Sequence, residues 1–191
     1  MNEELIEKII NSQPLTNKEV DSFLKYSCNL IKEKYQINNP NDTNCKVCFE
    51  ASRDFAMLML LKYNCDTNLI NIKELLNIPL THYISILFLN VSNVIKPYLI
   101  DLTYSQFFGN EIILDDRKKV LTKNTFKKLE EDLFVKELRI NSFIELNGTT
   151  TKKYFDLFLD TCRVMDKSKA YYKVNQLLKS HLISNSNHKK R

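Results

Sequence analysis

The sequence predicts an α+β domain in which a buried central helix packs on a small antiparallel sheet, with further helices before and after this core. Two stretches rich in branched and aromatic residues, 82–89 and 95–102, predict two strands, and Asn90, Ser92 and Asn93 between them favour a tight turn. Helical periodicity flanks this hairpin on both sides. At 191 residues, the chain is long enough for one domain with a well-formed core.

The N-terminal part, residues 1–37, is predicted to form two helices. Apolar residues at positions 5, 6, 9 and 10 have helical spacing, which predicts the first helix over 3–11. Thr16 begins the second helix, because Glu19 stands three residues later and completes a capping box. The polar segment 38–44 contains Pro40 and is predicted to be a loop.

Residues 41–116 are predicted to form the helix-plus-sheet core. The stretch 45–63 has apolar residues on most faces, which predicts a buried central helix. Residues 64–77 favour a short strand or a short helix, and 109–116 a further short strand. Pro97 lies within the second strand of the hairpin and therefore indicates an edge strand or a bulge.

The C-terminal part, residues 124–183, is predicted to be helical and to complete a single domain over 1–183. Predicted helices cover 124–138, 150–165 and 168–183, with a short extended piece over 140–146 and a turn at Asn147 and Gly148. The polar and basic residues 184–191 are predicted to form a disordered tail.

Composition excludes several classes of function. The net charge of +5 is modest and is not concentrated on a basic face with interleaved aromatic residues, so no nucleic-acid partner is expected. Apolar runs fall short of the roughly 18 residues that a membrane span requires. The chain does not begin with a secretory signal pattern, and its five scattered cysteines do not suggest a disulfide framework. We therefore expect a cytoplasmic protein, or one delivered to a host cytosol by a route that needs no signal peptide.

Cys48, His82 and Asp101 together suggest thiol catalysis. A cysteine becomes nucleophilic as the thiolate, which a helix N-terminus and a neighbouring imidazolium stabilise, and a carboxylate can orient the imidazole. Cys48 lies near the start of the predicted central helix, whereas His82 and Asp101 lie at one end of the hairpin. His82 is the only histidine suited to be the base, because the other two stand in the last helix and the tail.

Each of these residues also has an ordinary structural interpretation. His82 would be a hydrogen-bonded residue at a strand entry, Asp101 a turn former at a strand end, and Cys48 a small buried side chain. Their joint order favours function. Cys45 and Cys48 form a Cys-x-x-Cys pair, but two further zinc ligands at a recognisable spacing are missing and the redox pattern of strand, helix and strand is absent. We therefore predict neither a metal nor a cofactor.

The segment 41–108 resembles papain-like and transglutaminase-like thiol enzymes. Cys48 with Phe49, Ala51 and Ser52 is similar to their Cys-aromatic-x-x-Ser helix start, and Asp101 with Thr103 is similar to the Asp-x-Thr strand of the transglutaminase-like group. The resemblance implies a papain-like or transglutaminase-like fold and a Cys48–His82–Asp101 triad. The chain has no Trp after His82 and no Gly before the cysteine, which leaves the reaction type open.

Two assignments within this site have alternatives. Asn44 is a suitable N-cap, which would place Cys45 in the first helical turn, so Cys45 is the alternative nucleophile to Cys48. The resemblance also implies that the backbone N–H of the nucleophile and a side-chain amide bind the oxyanion. Asn44 is the first candidate for that amide and Gln106 the second.

These residues predict a cysteine-dependent hydrolase or acyltransferase that acts on an amide bond of a protein or peptide. Proteolysis, glutamine deamidation and acyl transfer all pass through an acyl-thioester and differ only in the leaving group and in the acceptor. A bacterial effector that modifies another protein is one context that fits. The alternative is a noncatalytic interaction domain, in which the helices of 124–183 present a binding face and the cysteines are structural.

Overall fold

A computed structural model describes residues 1–37, 47–108, 112–114, 119–121 and 132–188. Within these ranges the chain forms seven α-helices and a four-stranded antiparallel sheet of order β1-β2-β3-β6, which confirms the predicted α+β class. The elements are α1 (Glu3–Ile10), α2 (Asn17–Lys34), α3 (Cys48–Tyr63), β1 (Thr67–Asn71), α4 (Ile72–Leu76), β2 (Tyr83–Val91), β3 (Val94–Ile100), a 3-10 helix (Tyr104–Phe108), β4 (Ile112–Leu114), β5 (Lys119–Leu121), α5 (Leu133–Asn141), β6 (Phe143–Glu145), α6 (Gly148–Thr161) and α7 (Ser168–His188). Strands β4 and β5 pair with each other in a separate two-stranded sheet.

The predicted hairpin is present as β2 and β3, with small shifts at its ends. Ser92 and Asn93 form its two-residue turn, and both have a positive φ (50° and 69°), as the tight turns that suit a twisted hairpin require. Asn90 belongs to β2 and pairs with Ile95. The register brings the start of β2 beside the end of β3, because Ser85 pairs with Ile100.

The expectation that Pro97 marks an edge strand or a bulge was wrong. Strand β3 lies inside the sheet, between β2 and β6, and Pro97 pairs in regular register with Phe88. The Pro97 carbonyl accepts the N–H of Leu146, just beyond the end of β6. In an antiparallel strand the N–H and C=O of one residue point to the same side. The missing N–H of Pro97 therefore faces the point where β6 ends, and the ladder with β2 is intact.

The sheet separates two hydrophobic cores. Alternate residues of β2 point to opposite faces, so that Ile84, Ile86 and Phe88 pack with the C-terminal helices, whereas Leu87 and Leu89 pack with the N-terminal helices. The strand is thus apolar on both faces, because helices cover it on both sides. The molecule has three layers, with the sheet in the middle.

The capping box at the start of α2 is formed as predicted. The Glu19 N–H donates to Thr16 Oγ1 at 3.2 Å, and the Thr16 N–H donates to Glu19 Oε2 at 2.7 Å. Replacing Thr16 with alanine removes this cap and is expected to lower the free energy of unfolding by about 1 kcal/mol. Urea denaturation measures the loss, with the exposed Lys18→Ala in the same turn as control. Equal stabilities of the two variants would contradict it.

Helix α3 is less buried than predicted. Its inner face, including Ala51, Phe55 and Met59, packs against the sheet and the N-terminal helices. Its outer face exposes apolar residues, among them Phe49 (39%), Met57 (47%), Leu60 (55%) and Leu61 (73%). The predicted buried central helix is therefore buried on one face only, and the apolar residues of its other face are exposed to solvent.

Several boundaries differ from the predicted ones. Residues 64–77 contain both predicted alternatives, β1 and α4, and the extended piece near 140–146 is β6, which joins the main sheet. The predicted helix over 124–138 is described from residue 133 and ends at Asn141, whereas 122–131 lie outside the described residues. Helix α7 continues to His188, so the predicted tail is helical over 184–188, and 189–191 are outside the described residues.

Among the described residues, none of the helices combines the length and the apolar character that crossing a membrane requires.

Candidate active site

His82 and Asp101 meet at one end of the hairpin. His82 immediately precedes β2 and Asp101 immediately follows β3, and the antiparallel register holds these two positions together. Their side chains are hydrogen-bonded, with 2.9 Å between His82 Nε2 and Asp101 Oδ2. Both residues have no solvent exposure (0%). The sequence thus predicted a pair that the fold brings into direct contact.

Three donors converge on the Asp101 carboxylate. Besides the imidazole, the Tyr154 hydroxyl donates to Oδ2 at 2.7 Å and the Thr103 N–H donates to Oδ1 at 3.3 Å. The Asp101 N–H in turn donates to the Ser142 carbonyl at 2.9 Å. A buried carboxylate is tolerated only when such donors replace its water. Asp101 therefore has a fixed orientation as the acceptor for His82.

Helix α3 places Cys48 beside the histidine of this pair. Cys48 is the first residue of α3, it is half-buried, and its side chain is hydrogen-bonded to that of His82. The N-terminus of an α-helix carries partial positive charge, which favours an anion such as a thiolate. Helix α3 and the hairpin thus bring together the three residues that the sequence proposed as a triad.

Ser52 holds helix α3 against the start of β2. Its hydroxyl donates to the Tyr83 carbonyl at 2.9 Å, and its own carbonyl accepts the Ser85 hydroxyl at 3.0 Å. Ser52 stands one turn after Cys48 on the same face of the helix. These two hydrogen bonds, one donated and one accepted by Ser52, therefore set the position of Cys48 relative to His82.

The environment of His82 favours its protonated form. Burial is the largest single influence and acts to lower the pKa of His82. The charge of Asp101, its hydrogen bond and the interaction with Cys48 act in the opposite direction and together raise the pKa to about 9. An imidazolium is thus favoured at neutral pH, as a thiolate–imidazolium pair requires.

Uncharged groups complete the surroundings of the imidazole. The ring is in edge contact with Phe107, at 4.7 Å between ring centroids, and is stacked near Phe158 at 5.7 Å. Gln106 Nε2 lies 3.0 Å from His82 Nδ1 and 3.2 Å from Thr103 Oγ1. Nδ1 can accept from the Gln106 amide only while the imidazole is neutral and donates Nε2–H to Asp101, because in the imidazolium Nδ1 also carries a proton.

The other predicted site residues are placed as follows. Gln106, the second oxyanion candidate, lies beside the imidazole. Cys45, the alternative nucleophile, and Asn44, the first oxyanion candidate, lie outside the described residues. Sequence reasoning assigned no role in the site to Tyr154, although a tyrosine on the apolar face of a helix requires a partner for its hydroxyl.

Three other cysteines have a different environment. Burial raises the pKa of Cys28 and of Cys65 to about 12, and that of Cys162 to about 11. Such thiols remain protonated at neutral pH and are poor nucleophiles. Among the described cysteines, Cys48 is the one in contact with a histidine.

The described residues contain no group of three or more His, Cys, Asp or Glu side chains that is arranged to hold a metal ion. The three side chains at the helix start and the hairpin end can, by contrast, supply a nucleophile, a base and a group that orients the base.

Comparison of the chain with models of known protein families, with curated protein sequences and with solved structures found no match.

Proposed function

We propose that this protein is a thiol-dependent hydrolase or acyltransferase that acts on an amide bond of a protein or peptide. The observation that supports this most is a fully buried His82–Asp101 pair in contact with a half-buried cysteine at a helix N-terminus. A buried ionisable pair costs desolvation energy, and residues with perturbed pKa values cluster at functional sites. We also propose that the protein is related to papain-like or transglutaminase-like enzymes and that it acts in the cytoplasm or in the cytosol of a host.

The reaction needs only the residues at this site. Cys48 passes its proton to His82, and the thiolate attacks the carbonyl carbon of the amide. The oxyanion of the tetrahedral intermediate accepts hydrogen bonds from the Cys48 N–H and from the Gln106 N–H that is released from His82 Nδ1 when that nitrogen takes up the proton. His82 then returns the proton to the leaving nitrogen as the C–N bond breaks, which gives an acyl-thioester and a free amine. Water releases the acyl group in hydrolysis or deamidation, and an amine accepts it in acyl transfer.

The thiol itself tests this proposal. With iodoacetamide, Cys48 is expected to react rapidly below pH 7, and His82→Ala is expected to slow this reaction by at least about tenfold near pH 6, because the imidazolium that stabilises the thiolate is then missing. Mass spectrometry of the labelled peptides identifies the cysteine that reacts and gives its rate at each pH.

The remaining cysteines provide the internal control. Cys28 and Cys65 are expected to react slowly throughout this pH range, because burial raises their thiol pKa to about 12. If all five cysteines of the chain reacted at similar slow rates, the enzyme proposal would be refuted. Rapid labelling of Cys45 in place of Cys48 would transfer the nucleophile role to Cys45.

The exposed outer face of α3 supports a second candidate function, a noncatalytic interaction domain. Phe49, Met57, Leu60 and Leu61 are apolar and exposed on one helix. Exposed apolar patches are typical of interaction surfaces. In that case His82 and Asp101 would be a structural pair, and the labelling experiment would show no rapid cysteine. The same measurement thus separates the two candidates.

A further inference from the structure

Tyr154 links the C-terminal helices to the His82–Asp101 pair. It lies in α6, has no solvent exposure (0%), and donates its hydroxyl proton to Asp101 Oδ2 at 2.7 Å. That oxygen is the one hydrogen-bonded to His82 Nε2 at 2.9 Å. One carboxylate oxygen is therefore shared between the proposed catalytic base and a buried phenol.

We propose that Tyr154 is a positioning residue that acts through Asp101 and limits the basicity of His82. This inference rests on the proposed function, because it concerns the proton transfer between Cys48 and His82. The Tyr154 hydroxyl stabilises negative charge on Oδ2, and a carboxylate that already accepts one strong hydrogen bond attracts the imidazolium less strongly. Without the phenol, more of the stabilisation of that charge would come from His82.

A limit on the basicity of His82 favours the second half of the reaction, in which the histidine acts as an acid. His82 has to take a proton from Cys48 and then return it to the leaving nitrogen. A base that holds its proton too tightly is a poor general acid, and the best catalytic pKa lies near the operating pH. Asp101 raises the basicity of His82, and Tyr154 opposes part of that increase. The phenol therefore favours return of the proton.

The charged groups near this pair come from several elements. Asp101 and Cys48 face the imidazole directly, and Glu50 lies in the first turn of α3. Lys32 of α2 and Arg139 of α5 line a narrow crevice that also reaches Asp101. None of these changes in a Tyr154→Phe variant, which removes only the phenolic hydroxyl.

Tyr104 provides a matched control in the same cluster. Its ring centroid is 6.1 Å from that of Tyr154, and the residue is 1% exposed. Among the described residues its hydroxyl has no hydrogen-bond partner. Tyr104→Phe therefore also removes a buried hydroxyl near Asp101, but without removing a hydrogen bond to the carboxylate.

The experiment measures the rate of Cys48 alkylation by iodoacetate against pH in the full chain. The imidazolium of His82 attracts this anionic reagent to the thiolate, so loss of the imidazolium produces the alkaline limb of the profile. Tyr154→Phe is expected to move this limb to higher pH by about 0.5 to 1 pH unit, as the loss of one hydrogen bond to the carboxylate implies. Tyr104→Phe is expected to leave the limb in place.

A second variant, with the opposite expected shift, tests the role of Tyr154 if Tyr154→Phe does not fold. Site-specific replacement of Tyr154 by 3-fluorotyrosine makes the phenol a stronger donor and is expected to move the limb to lower pH. An unchanged limb, or a shift of the opposite sign in either variant, would overturn the role of Tyr154. A wild-type protein without rapid labelling of Cys48 would refute the proposed function instead, so the two failures are distinguishable.

Discussion

Replacing Asp101 with alanine is expected to lower the free energy of unfolding by about 3 to 5 kcal/mol, because removal of one partner leaves the rest of a buried polar network unpaired. The imidazole of His82, the hydroxyl of Tyr154 and the N–H of Thr103 would all lose their acceptor in the interior. Equilibrium denaturation in urea at pH 7, monitored by circular dichroism, measures the loss.

Two further variants calibrate this result. Asp21 forms a pair with Lys25 on the surface of α2, where its side chain is 49% exposed, and Asp21→Ala is expected to cost less than about 1 kcal/mol. Asp101→Asn keeps the shape of the side chain and one acceptor oxygen, so its stability should lie between those of wild type and Asp101→Ala. If Asp101→Ala were as stable as Asp21→Ala, the pair would not be the buried network described above.

The stability of a Cys48→Ser variant is expected to fall as the pH rises above about 6.5. The pKa of His82 is raised in the folded state, from 6.5 to about 9, and the charge of Asp101 is the largest influence that raises it. A raised histidine pKa means that the folded state holds its proton more tightly, so the stabilisation is fully present below pH 6.5 and is lost as the pH passes the folded value. The serine variant is used because a thiolate at Cys48 would release one proton on folding while His82 takes one up, and the two effects would cancel in the wild-type protein.

Urea midpoints at pH 6, 7.5 and 8.5 measure this dependence. The buried thiols of Cys28 and Cys65 add their own destabilisation only when the unfolded chain begins to lose thiol protons, near pH 9. Adding His82→Gln to Cys48→Ser removes the titrating group and is expected to flatten the dependence below pH 8.5. Parallel slopes in the single and the double variant would show that other groups cause the fall in stability.

The hairpin with its two end residues was predictable because its signals are local. Runs of branched and aromatic residues, the turn formers Ser92 and Asn93 and the distance along each strand sufficed to place His82 near Asp101. Ser52 entered the sequence analysis only as part of the family resemblance. Its hydrogen bonds to β2 were not predicted, since the way a helix docks on a sheet leaves no periodic pattern in the sequence.

Tyr154 and β6 were harder to predict for a related reason. Both depend on contacts with residues far along the chain, Asp101 for Tyr154 and Tyr98 to Ile100 for β6. Short segments such as residues 143–145 carry too few positions to show a period. The position of Pro97 also depends on a distant segment. A residue without an N–H fits inside the sheet here only because β6 ends beside it.

The three-layer arrangement gives the proposed site a built-in dependence on complete folding. Cys48 belongs to the layer on one face of the sheet, Tyr154 belongs to the layer on the other face, and the His82–Asp101 pair lies at the end of the sheet between them. A chain that has docked only the N-terminal layer contains Cys48, His82 and Asp101, but its carboxylate lacks the hydrogen bond from Tyr154. The proposed control of the basicity of His82 would therefore arise only after both halves of the chain have been synthesised and joined.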